Sequence, residues 1–332
     1  MSGPAQGLYG YSLGLASMQG FDAATRAARL ADLGATVLFG GDDDPAFVEQ
    51  LYARGIQVMA EFACFVGDAW WQRFPDARPV LANCDWMPQE GSYCGVNPAH
   101  ETVRAALLER LRGLVATRPL DGLWLDFCRW PCHWEAPMPL LPATSFDAAT
   151  VAAFGRDAGL ADLGQGKAAA RRLLGDLRAA WLAWRSSVVT AFAAEAAAIV
   201  RAAQPRCLVG LFTVPWRRKD RDGALEHVIG QDLAALAEHI DVFSPMVYHR
   251  MCGQPPEWIA TVCNDVRAAT SRAVWPIVQA VDEPAGMAPD EYRAALEQAL
   301  AAGDGVLVFN LQGLEDAHRW QITRESFTRR RS

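Results

Sequence analysis

Short apolar runs alternate along the chain with longer stretches in which Ala, Leu and Arg recur at helical spacing. The period-2 or fully apolar runs predict strands at 7–13, 35–39, 56–63, 121–127, 207–214, 240–248, 274–281 and 304–310. Between them the 3.6-residue pattern predicts helices near 21–33, 44–54, 99–117, 176–203, 231–238, 256–270, 289–302 and 315–328. Gly or Asp-Gly turns separate helix from strand at Arg54-Gly55-Ile56, Asp121-Gly122 and Asp304-Gly305. Strands alternating with helices imply a parallel sheet, and eight such units without a low-complexity linker favour a closed (β/α)8 barrel over an open sheet. The expected organisation is α/β, one barrel domain over 1–332, with long connections at about 64–98 after strand three and 128–175 after strand four. Both fall on the face where such a barrel presents its chemistry, and long ordered loops there are usually functional. Segment 147–172 has a helical pattern inside the second.

Composition narrows the class. Of 332 residues 51% are hydrophobic and 21% charged, enough for a large core. The net charge of -7 argues against a nucleic-acid partner or an anionic membrane surface. No apolar run of about 20 residues suggests membrane insertion, and Met1–Gly7 lacks a basic region followed by an apolar stretch. A cytoplasmic location is therefore expected, with a periplasmic or secreted one open for a trimmed chain. Eight scattered cysteines show no small-domain disulfide pattern and read as thiols, although Cys64, Cys84 and Cys94 share one loop region and could pair in an exported protein. No G-x-G-x-x-G follows the first strand and no P-loop is present, so a nucleotide cofactor has no support. No cofactor is expected.

Candidate chemistry lies at the C-terminal ends of the strands. Leu120-Asp121-Gly122-Leu123-Trp124-Leu125-Asp126-Phe127-Cys128-Arg129-Trp130-Pro131 is an apolar strand that ends on a carboxylate and runs at once into Arg, Trp and Pro. An Asp is disfavoured within a strand, so Asp126 belongs at its end. Glu61 ends strand three, Asp282 and Glu283 follow strand seven, and these four are the candidate catalytic carboxylates. Cleaving a glycosidic bond needs one protonated and one ionised carboxyl, and burial or mutual repulsion separates their pKa values. Arg129 beside Asp126 is expected to hold it ionised, as nucleophile or base. Arg129, Trp130, Tyr248, His249, Gln279, Trp86, Trp216 and Asn310 are the candidate substrate-binding residues, since flat aromatics stack on sugar rings and polar groups bind hydroxyls.

Other readings of the same residues stand beside these. Asp126 can cap a turn, Glu61 can pair with an Arg in the core, and Asp282 or Glu283 can be a turn residue before Pro284. Tyr248 and His249 can bind substrate or orient a carboxylate. Trp124 can face either side of its strand. The run Cys128, Cys132, His133, Glu135 lacks the spacing of a familiar zinc ligand set, and no metal site is expected.

Four segments carry a family resemblance: Leu51–Val58, Asp121–Pro131, Ser244–His249 and Gly305–Asn310. Together they resemble the glycoside-hydrolase-type TIM barrels, particularly bacterial glycosyl hydrolase families, which implies an active-centre role for Asp126. A more distant similarity is to the chitinase superfamily, whose fourth strand carries D-G-x-D-x-D-x-E and whose sixth carries M-x-Y-D. Asp121, Gly122, Asp126, Met246 and Tyr248 fit, whereas Trp124 replaces the middle Asp and Cys128 replaces the acid Glu. The resemblance therefore implies a general acid from another strand. The expected function is a glycosidase or transglycosidase acting on an oligo- or polysaccharide. The alternatives are a non-catalytic saccharide-binding barrel of a polysaccharide or envelope system, and a metal-dependent hydrolase or lyase on the same fold.

Overall fold

The computed structural model of the chain describes residues 4–10 and 18–331. Among them eight parallel strands close a barrel: β1 (Gln6–Tyr9), β2 (Val37–Phe39), β3 (Gln57–Ala63), β4 (Gly122–Asp126), β5 (Leu208–Thr213), β6 (Val242–Val247), β7 in two pieces (Ala273–Val274 and Ile277–Gln279) and β8 (Val306–Phe309). Each pairs with the next, β8 returns to β1, and no edge is left open. Of the twelve α-helices among the described residues, eight alternate with the strands around the outside: α1 (Ala23–Leu33), α2 (Pro45–Tyr52), α3 (Glu101–Thr117), α4 (Arg178–Ala203), α5 (Leu233–Leu236), α6 (Trp258–Thr270), α7 (Pro289–Ala302) and α8 (Ala317–Arg331). The protein is an α/β TIM barrel.

Local chemistry sets the element boundaries. The Asp22 carboxylate accepts the Thr25 N–H at the start of α1, and Gly34 ends that helix at φ 94°. Asp44 caps α2, with Pro45 in the first turn. The N-terminal rim of the barrel carries a repeated clasp. The residue just before an even-numbered strand accepts a backbone N–H from the preceding odd-numbered one: Thr36 from Gln6 (2.9 Å), Asp121 from Val58 (2.9 Å), Asp241 from Val209 (2.8 Å) and Asp304 from Val274 (2.9 Å). The Asp-Gly pairs read as turns thus also bind neighbouring strands together.

Several elements depart from the sequence expectation. The described part of strand one stops at Tyr9, and expected positions 11–13 lie outside the described residues. Strand seven splits because Pro276 has no N–H for the ladder. Segment 147–172 forms two helices, Ala148–Ala158 and Gly166–Leu174, divided where Gly159, Gly164 and Gly166 take positive φ. The helix expected at 231–238 is the single turn of α5. The alanine-rich α4 is long and apolar enough, by length and composition, to cross a membrane, contrary to the expectation that no segment is. In the fold it is a barrel helix that buries Val189, Phe192, Ala196 and Val200.

The barrel interior is filled from below the mouth. Trp124 faces inward, stacks on Trp275 (centroids 5.4 Å apart), meets Phe39 edge-on, and donates its indole N–H to Ser244 Oγ at 2.9 Å. It lies flat over Gly210, where a Cβ would stand 2.0 Å from the indole. Outward-facing Leu123 and Leu125 meet the helices, and the next inward position on β4 is Asp126. The long connections are also tied to each other. Leu81 bridges Thr144, the Val80 N–H donates to Ser145 Oγ (2.9 Å), and Phe146, Phe154, Leu173 and Trp181 build a satellite core beneath the two inserted helices.

Candidate active site

Asp126 and Glu61 meet at the mouth. Glu61 is level with Trp124 in the β3–β4 register, and Asp126 is one inward position higher. The longer Glu61 side chain bridges that step, so the two carboxyls hydrogen-bond to each other. Burial, then the Asp126 charge, drives Glu61 well above the usual carboxylate range. Burial also pushes Asp126 up, to about 6, against the opposing pull of the Phe127 N–H (2.7 Å), Arg129 and Glu61; the Glu135 charge adds to the rise. Two carboxyls in contact cannot both ionise at neutral pH, and the pair retains a proton. Arg129 favours the ionised form of Asp126, in the direction expected, while burial outweighs it and sets the net upward shift. Phe127 at φ 49° turns the chain sharply after Asp126, a conformation that costs a non-glycine residue about 1–2 kcal/mol.

Arg129 is buried but well held. Its Nη1 donates to the Cys132 carbonyl (2.7 Å) and to Tyr93 Oη (3.3 Å), and its guanidinium lies over the Tyr93 and Phe127 rings. Burial opposes its charge, but Tyr93, Glu135, Cys132 and Asp126 together favour it, and its pKa rises. Glu135 is partly exposed and stands 3.6 Å from His133 Nε2. Its charge reaches Asp126, Arg129, Tyr93 and Cys132 alike, so it stands beside the same cleft. Aromatics surround the mouth: Tyr9 contacts Phe39, Phe212 and Phe309, and Tyr248 stacks between Phe309 and Trp134.

The structure thus joins Asp126, Glu61 and Arg129, with Tyr248 on the aromatic wall. It separates several other candidates from them. Asp282 accepts from the Met287 N–H (2.8 Å) and pairs with Arg319, contacts that hold its carboxyl below the usual range. Glu283 is exposed, and its carbonyl accepts from Gln279. These two acids line a cavity of about 330 Å³ with Gln312, Asp316 and Arg319.

Gln279 is fully buried and spends its amide on Met251, Val281 and Glu283 backbone. His249 is also fully buried. Burial lowers its pKa against the attraction of Glu291, to which its Nε2 is bonded at 3.1 Å. Trp130 is a core residue, with its indole N–H on the Arg185 carbonyl (2.9 Å) and the Arg185 guanidinium over its ring. Trp216 is buried too, Asn310 Oδ1 accepts from Gly313 N–H to close a turn, and Trp86 stands exposed where it bridges Val80 within the first insertion. Tryptophan position in a loop predicted solvent contact for Trp130 and Trp216, but the loops themselves fold inward over the barrel.

Glu135 enters the sequence reading only within the Cys128, Cys132, His133, Glu135 run, in which Cys132 is buried, with its thiol pushed up to about 12, and donates to the Leu140 carbonyl. Among the described residues no group of three or more His, Cys, Asp or Glu is placed to hold a metal ion. The available signal was position: an acid a few residues beyond a catalytic-face strand, next to a His.

Solved structures with this architecture carry one recurrent label. The glycoside hydrolase domain of PgaB (BpsB) from Bordetella bronchiseptica superposes with a TM-score of 0.72 at 16% identity, over 98% of this chain and 99% of that one. The fold is that of glycoside-hydrolase barrels. The β-galactosidase of the psychrophilic Marinomonas ef1 gives a TM-score of 0.71 at 13% identity over 98% of this chain, which spans 59% of the galactosidase. The glycoside hydrolase domain of PelA from Pseudomonas aeruginosa gives 0.50 at 15% identity, over 93% and 97% of the two chains. At these identities the likeness is one of fold. No family model matches the chain, and no curated protein matches it.

Proposed function

We propose that the protein cleaves or transfers a glycosidic bond of an oligo- or polysaccharide, with Asp126 as general acid and Glu135 as the opposing carboxylate. The observation that carries this reading is the buried Asp126–Glu61 pair, which keeps a proton at the mouth of a glycosidase-type barrel. An acid poised near 6 can protonate a leaving oxygen close to neutral pH, as the reaction requires. Glu61 lies behind Asp126 and donates a hydrogen bond to it once the acid has given up its proton. Glu135, partly open to water and close to Arg129, is suited to meet the anomeric carbon or the water that attacks it. Phe309, half-buried and backed by Tyr248, offers a ring for the sugar.

The test is a glycan-library screen of the purified protein. Wild type is expected to release product from at least one saccharide, with Asp126→Asn and Glu135→Gln folded but slower by about two orders of magnitude or more. Undiminished turnover by Asp126→Asn removes the reading. Saccharide binding without turnover in wild type moves the assignment to a non-catalytic binding barrel.

A further inference from the structure

Both long insertions send a residue to one imidazole. His133, from the connection after β4, has Nδ1 3.3 Å from Glu90 Oε2 and Nε2 3.6 Å from Glu135 Oε2. Glu90 comes from the connection after β3, 43 residues earlier, so no local turn chemistry explains the meeting. It sits in a tight two-stranded turn in which Glu90 and Tyr93 exchange backbone hydrogen bonds around Gly91 at φ 59°. That turn is fixed from the other insertion. Tyr93 Oη accepts from Arg129 Nη1 and from the Cys132 N–H, and its ring stacks on both His133 (6.0 Å, 21°) and Phe127 (6.0 Å, 29°). The imidazole therefore lies with one face on Tyr93 and a carboxylate near each nitrogen, although its side chain is 43% exposed. Such a restraint is more than a solvated surface histidine has.

We propose that His133 is a positioning residue, anchored by Glu90, that sets the orientation of the Glu135 carboxylate toward the Asp126 cleft. The proposal deepens the glycosidase reading and rests on it for the part Glu135 plays. A glutamate with three rotatable bonds at a half-open mouth has many orientations. Pairing one oxygen with a stacked ring removes many of them. Misplacement of a catalytic group by about 1 Å can cost roughly a hundredfold in rate. Glu90 is linked to Glu135 through the imidazole, so its effect should vanish when the ring is gone.

The experiment combines kinetics with a spectroscopic readout that needs no substrate. His133→Phe keeps the stacking on Tyr93 but loses both polar contacts, and is expected to lower kcat about 10- to 100-fold with KM within about twofold. His133→Gln, which can still donate to one carboxylate, should recover part of the loss, and Glu90→Gln should cost less than His133→Phe. In the His133→Phe background Glu90→Gln should cost nothing more, whereas additive losses overturn the link. Independently, the ring-nitrogen NMR signals of His133 should shift on Glu90→Gln and on Glu135→Gln. Signals that ignore both replacements overturn the proposal even if every variant is slow. Signals that respond in a protein that turns over no glycan leave the His133 link standing and remove the glycosidase reading.

Discussion

Asp126 is subject to opposed forces, and their balance can be measured in two ways. Burial favours its neutral form, while the Phe127 N–H and the Arg129 guanidinium favour its charge, and burial wins. In the unfolded chain an Asp titrates near 3.9. The folded protein therefore binds more protons than the unfolded chain between about 4 and about 6, and stability falls as pH rises through that window. Above it the cost is constant. Asp126→Asn keeps an oxygen for the Phe127 N–H and adds a donor for Glu61, so it should unfold about 1–3 kcal/mol less readily than wild type at pH 7. Near pH 4 the two should converge. Denaturant titrations at both pH values check this, and equal stability at pH 7 contradicts the buried-acid account. The same balance fixes the rate profile: with Asp126 as acid, kcat/KM falls as pH rises through about 6. A profile that rises there instead makes Asp126 the base or nucleophile. None of this could be read from sequence. The acid at the strand end was legible, but its protonation depends on how deep Trp124 and Glu61 bury it.

Strand β4 shows how much of an element the sequence specifies. The low strand propensity of Asp puts Asp126 at its end, and alternation leaves Trp124 free to face either side; a small residue on the neighbouring strand settles the direction. Gly210 on β5 leaves the space that the indole fills, and a Cβ there would overlap the ring. That dependence lies between two strands about 85 residues apart, which no window along the chain contains. Two glycine substitutions should consequently have opposite signs. Gly210→Ala forces Trp124 up toward the Glu61–Asp126 pair and should destabilise by about 1–3 kcal/mol, with loss of activity. Gly113→Ala, at an exposed position inside α3 with nothing near its would-be Cβ, should stabilise by about 0.4–1 kcal/mol. Urea midpoints at matched m-values decide both. A neutral Gly210→Ala would mean that Trp124 is not packed as described.

At the scale of the molecule the eight-fold alternation was legible because each unit repeats the same local pattern, whereas the catalytic face was not. Its insertions form structure with each other: Leu81 against Thr144, Val80 with Ser145, and Glu90 with His133. Such contacts follow from where the barrel brings β3 and β4, not from the loops' own sequences. Trp130 and Trp216 were consequently open to being read as a ligand surface when both are buried. The inserted helices also have their own core, with Trp181 stacked on Phe146 and Trp184 and meeting Phe154 edge-on. The barrel core is continuous without that cluster. Trp181→Ala should therefore open a cavity costing about 3–5 kcal/mol within the insertion while sparing the barrel. Hydrogen exchange is the measurement. Amides of Ala148–Ala158 and Gly166–Leu174 should exchange much faster, and those of β3, β4 and β5 should keep their protection. Uniform loss across both regions would show that insertion and barrel unfold together. In that case the catalytic face is stabilised by the whole fold, and the mouth carries no separately movable part.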